Sequence, residues 1–141
     1  MKNFFFIDWI LIPCFLLTAI TGVGTHVAGH GTSHSLWEIW AWTHSLFGLM
    51  FAVFAAWHVK MHISWYKLLL KSKSTKNRGT TAILTIIAVV VTLTGGAMFL
   101  VSGAHSGIGL WHYQIGILFS LIALWHIIKR LPILRKTLKN N

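Results

Sequence analysis

Four long apolar stretches constrain this chain more than any other feature of its sequence. Each has about 20 residues, the length that a helix needs to cross the hydrocarbon core of a bilayer. The stretches cover, approximately, residues 4–23, 40–59, 81–101 and 110–128. The last three contain no Asp, Glu, Lys or Arg, and the first contains only Asp8, near its start. The sequence therefore predicts an all-α integral membrane protein, a four-helix bundle forming a single transmembrane domain over residues 1–141.

The charged residues are few and mostly basic. They make up 10% of the chain, against about 25% in soluble domains, and the formal net charge is +10. In a soluble protein such an excess would suggest a nucleic-acid partner. Here the basic residues lie beside apolar stretches, so we expect them to orient the chain and to meet anionic lipid headgroups, with no nucleic-acid partner.

All twelve Lys and Arg residues fall at one end of the predicted bundle. Because cytoplasmic loops are enriched in basic residues, this asymmetry predicts that both termini are cytoplasmic. The two loops at the other end, about residues 24–39 and 102–109, contain none. The basic residues are Lys2, Lys60, Lys67, Lys71, Lys73, Lys76, Arg78, Lys129, Arg130, Arg135, Lys136 and Lys139.

The two halves of the chain repeat one another. The second and fourth stretches share the pattern H-x3-G-x8-W-H, displaced by 68 residues. The Thr-Gly pair at residues 21–22 of the first stretch corresponds to the pair at residues 94–95 of the third. We therefore predict two copies of a helical hairpin, with the first outer loop longer by five residues.

The repeated histidines indicate two metal sites at different depths. Fourteen residues separate His44 from His58, and His112 from His126, which is about 21 Å along a helix and nearly the same face. His44 should face His112 at what we call the outer level, and His58 should face His126 at the inner level. Two facing imidazoles suit an octahedral haem iron, whereas tetrahedral zinc needs more ligands.

Other interpretations exist for single residues of this pattern. A lone histidine in a membrane helix often only bridges helices by hydrogen bonding. Gly48 and Gly116 lie one turn after the outer histidines and would let a porphyrin press against helix backbone, although glycine also serves ordinary helix packing.

The chain has one cysteine, Cys14, and no Cys-x-x-Cys-His motif. We therefore predict two non-covalent haem b groups.

Residues near the inner histidines are candidates for contact with haem propionates. His62 follows His58 by one turn and competes with it as the inner ligand, but its counterpart in the repeat is Arg130. A position that holds His in one half and Arg in the other suits propionate binding better than iron ligation. Lys60 and Lys67 are further propionate candidates.

The outer loops hold four more histidines, at positions 26, 30, 34 and 105. The repeat places His30 near His105 in glycine-rich segments, which predicts a site above the outer haem for propionates, a quinone headgroup or the cofactor of a partner. A polar glycine-rich loop without a ligand remains the alternative. Glu38 is the only acidic residue at this end and a candidate proton acceptor.

The paired histidines resemble those of the di-haem four-helix core in the cytochrome b superfamily. The Thr-Gly pair of the first stretch and residues 58–67, HVKMHISWYK, resemble small bacterial b-type cytochromes. The resemblance implies transmembrane electron transfer in the bacterial inner membrane, often in exchange with quinone. It also implies a redox partner subunit, such as a hydrogenase, a flavoprotein or an iron–sulfur protein. In a related group the first helix supplies a haem ligand, but Trp9 and its neighbours offer none.

Three functions are consistent with these features. The first is an electron-transfer subunit of an oxidoreductase complex, which passes electrons between the membrane faces through two bis-histidine haems. The second is a self-contained oxidoreductase acting on quinol, superoxide or ferric iron. The third belongs to another class, a transporter that passes a metal ion along its histidines.

Overall fold

The computed structural model describes residues 2–71, 79–100 and 106–139, and this part of the chain is helical. Four of its helices are long and apolar enough to cross a membrane, as the sequence predicts. The fifth is a nine-residue helix, α3. In chain order the helices are α1 Lys2–Gly29, α2 His34–Met61, α3 Ile63–Lys71, α4 Gly79–Met98 and α5 Gly107–Lys139.

Most of the long helices extend beyond the predicted apolar stretches. α1 continues through Pro13 to Gly29, and α5 continues through Pro132. α2 begins six residues early, where Ser33 caps it by accepting a hydrogen bond from the Leu36 amide. α4 ends at Met98, and the predicted end of that stretch, residue 101, lies outside the described residues. An apolar stretch corresponds to the part of a helix that lipid covers, whereas the helix itself can continue through polar residues near the headgroups.

The sequence did not predict helix α3, which follows α2 after the single residue His62. The His62 amide donates to the carbonyls of His58 and Val59, both at 3.1 Å, and closes the end of α2. The Tyr66 hydroxyl lies 2.7 Å from the Thr85 hydroxyl and connects α3 to α4. Aromatic and lysine side chains beside apolar residues are typical of a short helix at a membrane surface.

The helices pack as two hairpins. α1 packs along α2, α4 packs along α5, and the hairpins meet mainly where α1 contacts α5. Within the described segments, no extensive backbone contact joins α2 to α5. The two helices that carry the repeated histidines therefore face each other through side chains rather than backbone.

An aromatic cluster occupies the middle of the bundle. Phe15 of α1 contacts Phe51 of α2 and Phe119 of α5, with ring centroids 6.2 and 6.1 Å away. Phe15 and Phe119 belong to the small buried core, together with Ala123. Phe51 and Phe119 are equivalent positions of the 68-residue repeat. Each lies seven residues from both histidines on its own helix, so the cluster separates the two histidine levels.

Candidate functional site

At the outer level, His44 of α2 and His112 of α5 come together as the sequence predicts. Their ring centroids are 6.0 Å apart, with 64° between the ring planes. An imidazole nitrogen bonds a first-row transition metal at about 2 Å. Two rings on opposite sides of one metal ion therefore have centroids separated by about 6 Å. The spacing of this pair fits a bis-histidine metal centre.

The neighbours of His44 fix which ring nitrogen carries the proton. Nδ1 of His44 lies 3.0 Å from the Thr18 carbonyl oxygen and 3.4 Å from Oγ1 of Thr21. The Thr21 hydroxyl already donates its proton to the Leu17 carbonyl at 2.7 Å. Both neighbours must therefore accept, so Nδ1–H donates to them. This tautomer leaves the lone pair on Nε2 for a metal.

His112 has the equivalent surroundings in the second hairpin. Its Nδ1 lies 3.0 Å from Oγ1 of Thr94, and the backbone of Val91 is also close to the ring. The Thr94 hydroxyl itself donates to α4 carbonyls, so it accepts from Nδ1–H. Thr94 and Val91 are displaced by 73 residues from Thr21 and Thr18. The two hairpins therefore repeat the histidine tautomer together with the histidines.

Two glycines allow these rings to lie close to a neighbouring helix. A Cβ atom added to Gly22 would lie 3.0 Å from Cε1 of His44, and one added to Gly95 would lie 3.0 Å from Cε1 of His112. Such a spacing is tighter than ordinary van der Waals contact. Glycine at the Thr-Gly pairs therefore sets the position of each ring. The repeat between the two halves of the sequence includes these pairs but predicts no role for them.

Gly48 and Gly116 are less constrained by the protein. An added Cβ atom would lie 3.9 Å from Cγ2 of Thr18 in the first case and 3.8 Å from Cγ2 of Val91 in the second. Both distances are ordinary contacts, so helix packing does not require glycine at these positions. Close helix packing therefore does not account for either glycine.

At the inner level, His58 of α2 lies beside an acidic side chain of α1. Its Nδ1 is 2.7 Å from Oδ1 of Asp8. The His62 ring lies 4.7 Å from the His58 ring, measured between centroids. One ligand atom from each of Asp8, His58 and His62 lies within 4.8 Å of the other two. Three potential ligands thus converge where the sequence predicted His58 as the ligand from α2, with His62 as its competitor.

The fourth repeated histidine, His126 of α5, also reaches this cluster. It is close enough to His58, Asp8 and Arg130 to interact with them electrostatically. Burial lowers the pKa of His62, and His58 and Arg130 lower it further, while Asp8 opposes them. Arg130 and His62 therefore share the inner level as predicted from the repeat. The other two propionate candidates, Lys60 and Lys67, are exposed.

The histidines at the outer end occupy different surroundings. His26, in the last turn of α1, stacks on Tyr113 of α5 with centroids 3.7 Å apart. Tyr113 directly follows His112, so this stack lies next to the outer pair. His30 is exposed and contacts the ring of His26 edge to face, with the two ring centroids 4.8 Å apart. The predicted partner of His30, His105, lies outside the described residues.

No protein-family model, curated protein or solved structure matches this chain.

The two levels differ in the side chains that they offer. The outer level offers two neutral imidazoles with neutral hydrogen-bond acceptors behind them. The inner level offers His58 and His126 together with one carboxylate and one guanidinium. The outer level therefore has the spacing for a metal centre held by two imidazoles, whereas at the inner level Asp8, His58 and His62 lie close enough together to hold a metal ion.

Several residues of the site were missed from the sequence. The sequence pattern gave Asp8 no role beyond its position near the start of the first stretch, although an ionisable side chain within a membrane span indicates a functional site. Phe51 and Phe119 share the 68-residue displacement and could have been found from it. The role of His26 was left open, because no sequence pattern connects it to Tyr113.

Proposed function

We propose that this chain transfers electrons across a membrane through two haem b groups, one at each histidine level. The single observation that carries the proposal is the outer pair. His44 and His112 have a centroid spacing that fits two axial ligands, and hydrogen bonds leave Nε2 of each ring free for a metal. Bound haem b supplies a one-electron ferric/ferrous couple.

The protein's own residues would bind and orient the cofactors. Thr18 and Thr94 hold the outer imidazoles by accepting from Nδ1–H. Gly48 and Gly116 leave the helix backbone without a side chain at positions where an added Cβ atom would make only ordinary contacts. At the inner level, Arg130 supplies a positive charge for propionates. The Phe51–Phe119 cluster excludes water between the levels.

The proposal extends to the location and partners of the chain. We place it in a bacterial inner membrane with both termini cytoplasmic, because its basic residues lie at one end. Its electrons would come from, or go to, a separate subunit such as a hydrogenase, a flavoprotein or an iron–sulfur protein. Exchange with quinone is proposed at the outer end, where His26 and Tyr113 supply an imidazole and a phenol for hydrogen bonding to a headgroup.

The test is the haem content of the full chain, expressed with adequate haem and purified in mild detergent. We expect two low-spin b-type haems per chain, both reducible by dithionite. His44→Ala and His112→Ala should remove or convert the same spectral component, and His58→Ala and His126→Ala should remove or convert the other. The control is His34→Ala, since His34 is exposed and pairs with Glu38 at 3.2 Å. Saturation at one haem or none would contradict the proposal.

The inner cluster supports a second candidate function, metal transport. Asp8, His58 and His62 together could bind a divalent cation without a porphyrin, because carboxylate and imidazole are common ligands of such ions. Optical spectra separate the two functions. A transporter would be colourless as purified and would bind zinc or a similar ion stoichiometrically, with loss of binding in His62→Ala.

A further inference from the structure

Asp8 occupies a position that the proposed function does not by itself require. The chain has two acidic residues, and they lie at opposite ends of the bundle. Glu38 is largely exposed and pairs with His34. Asp8 instead lies among the histidines of the inner level. A carboxylate within a membrane span is costly unless a cation or a hydrogen-bond donor faces it, so its partner identifies its role.

The partner of Asp8 is a proposed haem ligand. Oδ1 of Asp8 and Nδ1 of His58 are 2.7 Å apart, and both atoms are buried although the side chains remain 22% and 28% exposed. Within the part of the chain that the structure describes, neither atom has an aligned hydrogen-bond partner, so the two groups meet at ion-pair distance rather than through an aligned hydrogen bond. The carboxylate of Asp8 therefore lies directly beside Nδ1 of His58 and favours a proton on that nitrogen over one on Nε2.

We propose that Asp8 is a positioning residue for the inner haem, which it serves through His58. With its charge next to Nδ1, its carboxylate favours the tautomer that leaves Nε2 for iron and increases the electron donation of the imidazole. The negative charge stabilises the ferric state relative to the ferrous state. This inference rests on the proposed function, because it requires haem at the inner level.

The outer level provides the internal comparison. There the acceptors behind the ligands are neutral, namely the Thr18 carbonyl and the Thr94 hydroxyl. The residue that corresponds to Asp8 in the second hairpin is Thr81, at the same displacement of 73 residues. Only one of the four proposed ligands therefore has a carboxylate behind it among the described residues. The effect of Asp8 should be confined to the inner haem.

The experiment is a redox titration of the haem-loaded full chain in detergent, with haem content and ferric EPR spectra recorded for each variant. Asp8→Asn keeps the size of the side chain and removes its charge, and Asp8→Glu keeps the charge. Glu38→Gln is the matched control, because it removes the same charge at the opposite end. We expect Asp8→Asn to retain both haems and to weaken the ferric preference of the inner haem about tenfold, an upward shift of about 59 mV.

The other measurements should follow the same pattern. The potential of the outer haem should be unchanged in every variant. Asp8→Glu should shift the potential of the inner haem less than Asp8→Asn does. Glu38→Gln should leave the inner haem as in the wild type. The inner EPR signal should change in Asp8→Asn, because the ligand field of His58 changes. Loss of the inner haem in Asp8→Asn with its recovery in Asp8→Glu would also support the positioning role.

Three results would overturn the inference. One is an unchanged inner potential in an Asp8→Asn protein that binds both haems, and this leaves the proposed function intact. Another is loss of the inner haem in both Asp8 variants, which would indicate a structural role. The third is stoichiometric binding of Zn²⁺ by haem-loaded protein that disappears in Asp8→Asn. A wild-type chain that binds no haem would instead contradict the proposed function itself.

Discussion

The rings of Phe51 and Phe119 face each other across the middle of the bundle, with centroids 5.7 Å apart. Seven residues, or about 10.5 Å of helix, separate each ring from the histidine above it and from the one below it. Phe15 completes the cluster from α1. Because these side chains fill the space between α2 and α5, a change at one histidine level should leave the other level intact.

Removing one of these rings should destabilise the bundle. Phe119 is only 7% exposed, so Phe119→Ala leaves a cavity against Phe15 and Phe51. We expect a loss below the roughly 3–5 kcal/mol found in water-soluble cores, because lipid supplies no hydrophobic driving force and only packing is lost. Thermal unfolding in detergent measures the loss. Leu118→Ala, at a half-exposed neighbouring position, is the control, and equal losses for both variants would contradict the assigned core.

The Thr94 hydroxyl should contribute to the outer site alone. Thr94→Val removes the acceptor 3.0 Å from Nδ1 of His112 and keeps the shape of the side chain. A lost hydrogen bond of this kind costs about 0.5–1.5 kcal/mol. We expect weaker binding and a shifted potential of the outer haem, with the inner haem unchanged, in a redox titration. Thr92→Val is the control, since Thr92 is exposed and its hydroxyl bonds only the Ala88 carbonyl among the residues that the structure describes. Equal shifts in both variants would count against the assigned tautomer.

Bulky side chains at the repeated glycines should block cofactor binding without unfolding the helices. Gly48→Leu and Gly116→Leu would extend into the space proposed for porphyrin. We expect haem content to fall below two per chain while circular dichroism stays helical. Gly96→Leu serves as the control, because no atom of the described residues that could clash lies within 4 Å of a Cβ atom at that exposed position. Full haem content in the Gly48 and Gly116 variants would show that these positions do not contact haem.

His62 and His58 compete for the same iron, and their variants should differ. His62→Ala should retain both haems and shift the inner potential, because its expected role is with the propionates. His58→Ala should lose the inner haem, since Nδ1 of His58 already faces Asp8 and its Nε2 remains for iron. Haem content and redox titration decide between them. Loss of the inner haem in His62→Ala with retention in His58→Ala would reverse the ligand assignment.

The predicted orientation is tested by labelling from one side of the membrane. Thr32 and Ser64 are exposed residues near opposite ends of the bundle, Ser64 being on α3. In a Cys14→Ser background, an impermeant thiol reagent applied outside intact cells should label Thr32→Cys and not Ser64→Cys. Permeabilised cells, in which both should react, provide the control. Labelling of both residues in intact cells would show that the basic end is not cytoplasmic.

The sequence predicts those features of the site that depend on spacing within one helix. The 14-residue interval and the 68-residue repeat were sufficient to expect His44 opposite His112, and apolar length was sufficient to find the four spans. The contact between Asp8 and His58 depends on the axial offset between α1 and α2, which the loop between them does not determine. Helix α3 was not predicted because a nine-residue segment that contains lysines does not stand out beside the much longer apolar spans.

The arrangement of the hairpins has a consequence for how the protein is made. Helix packing is extensive within each hairpin, whereas the hairpins meet mainly along α1 and α5. Each pair of helices can therefore enter the bilayer as an independent unit, and helix association follows insertion. Each hairpin carries one histidine of each pair and so holds only half of either centre. Under the proposed function, cofactor capture would be the last stage of biogenesis, and two separately synthesised halves should become red only after they associate in the membrane.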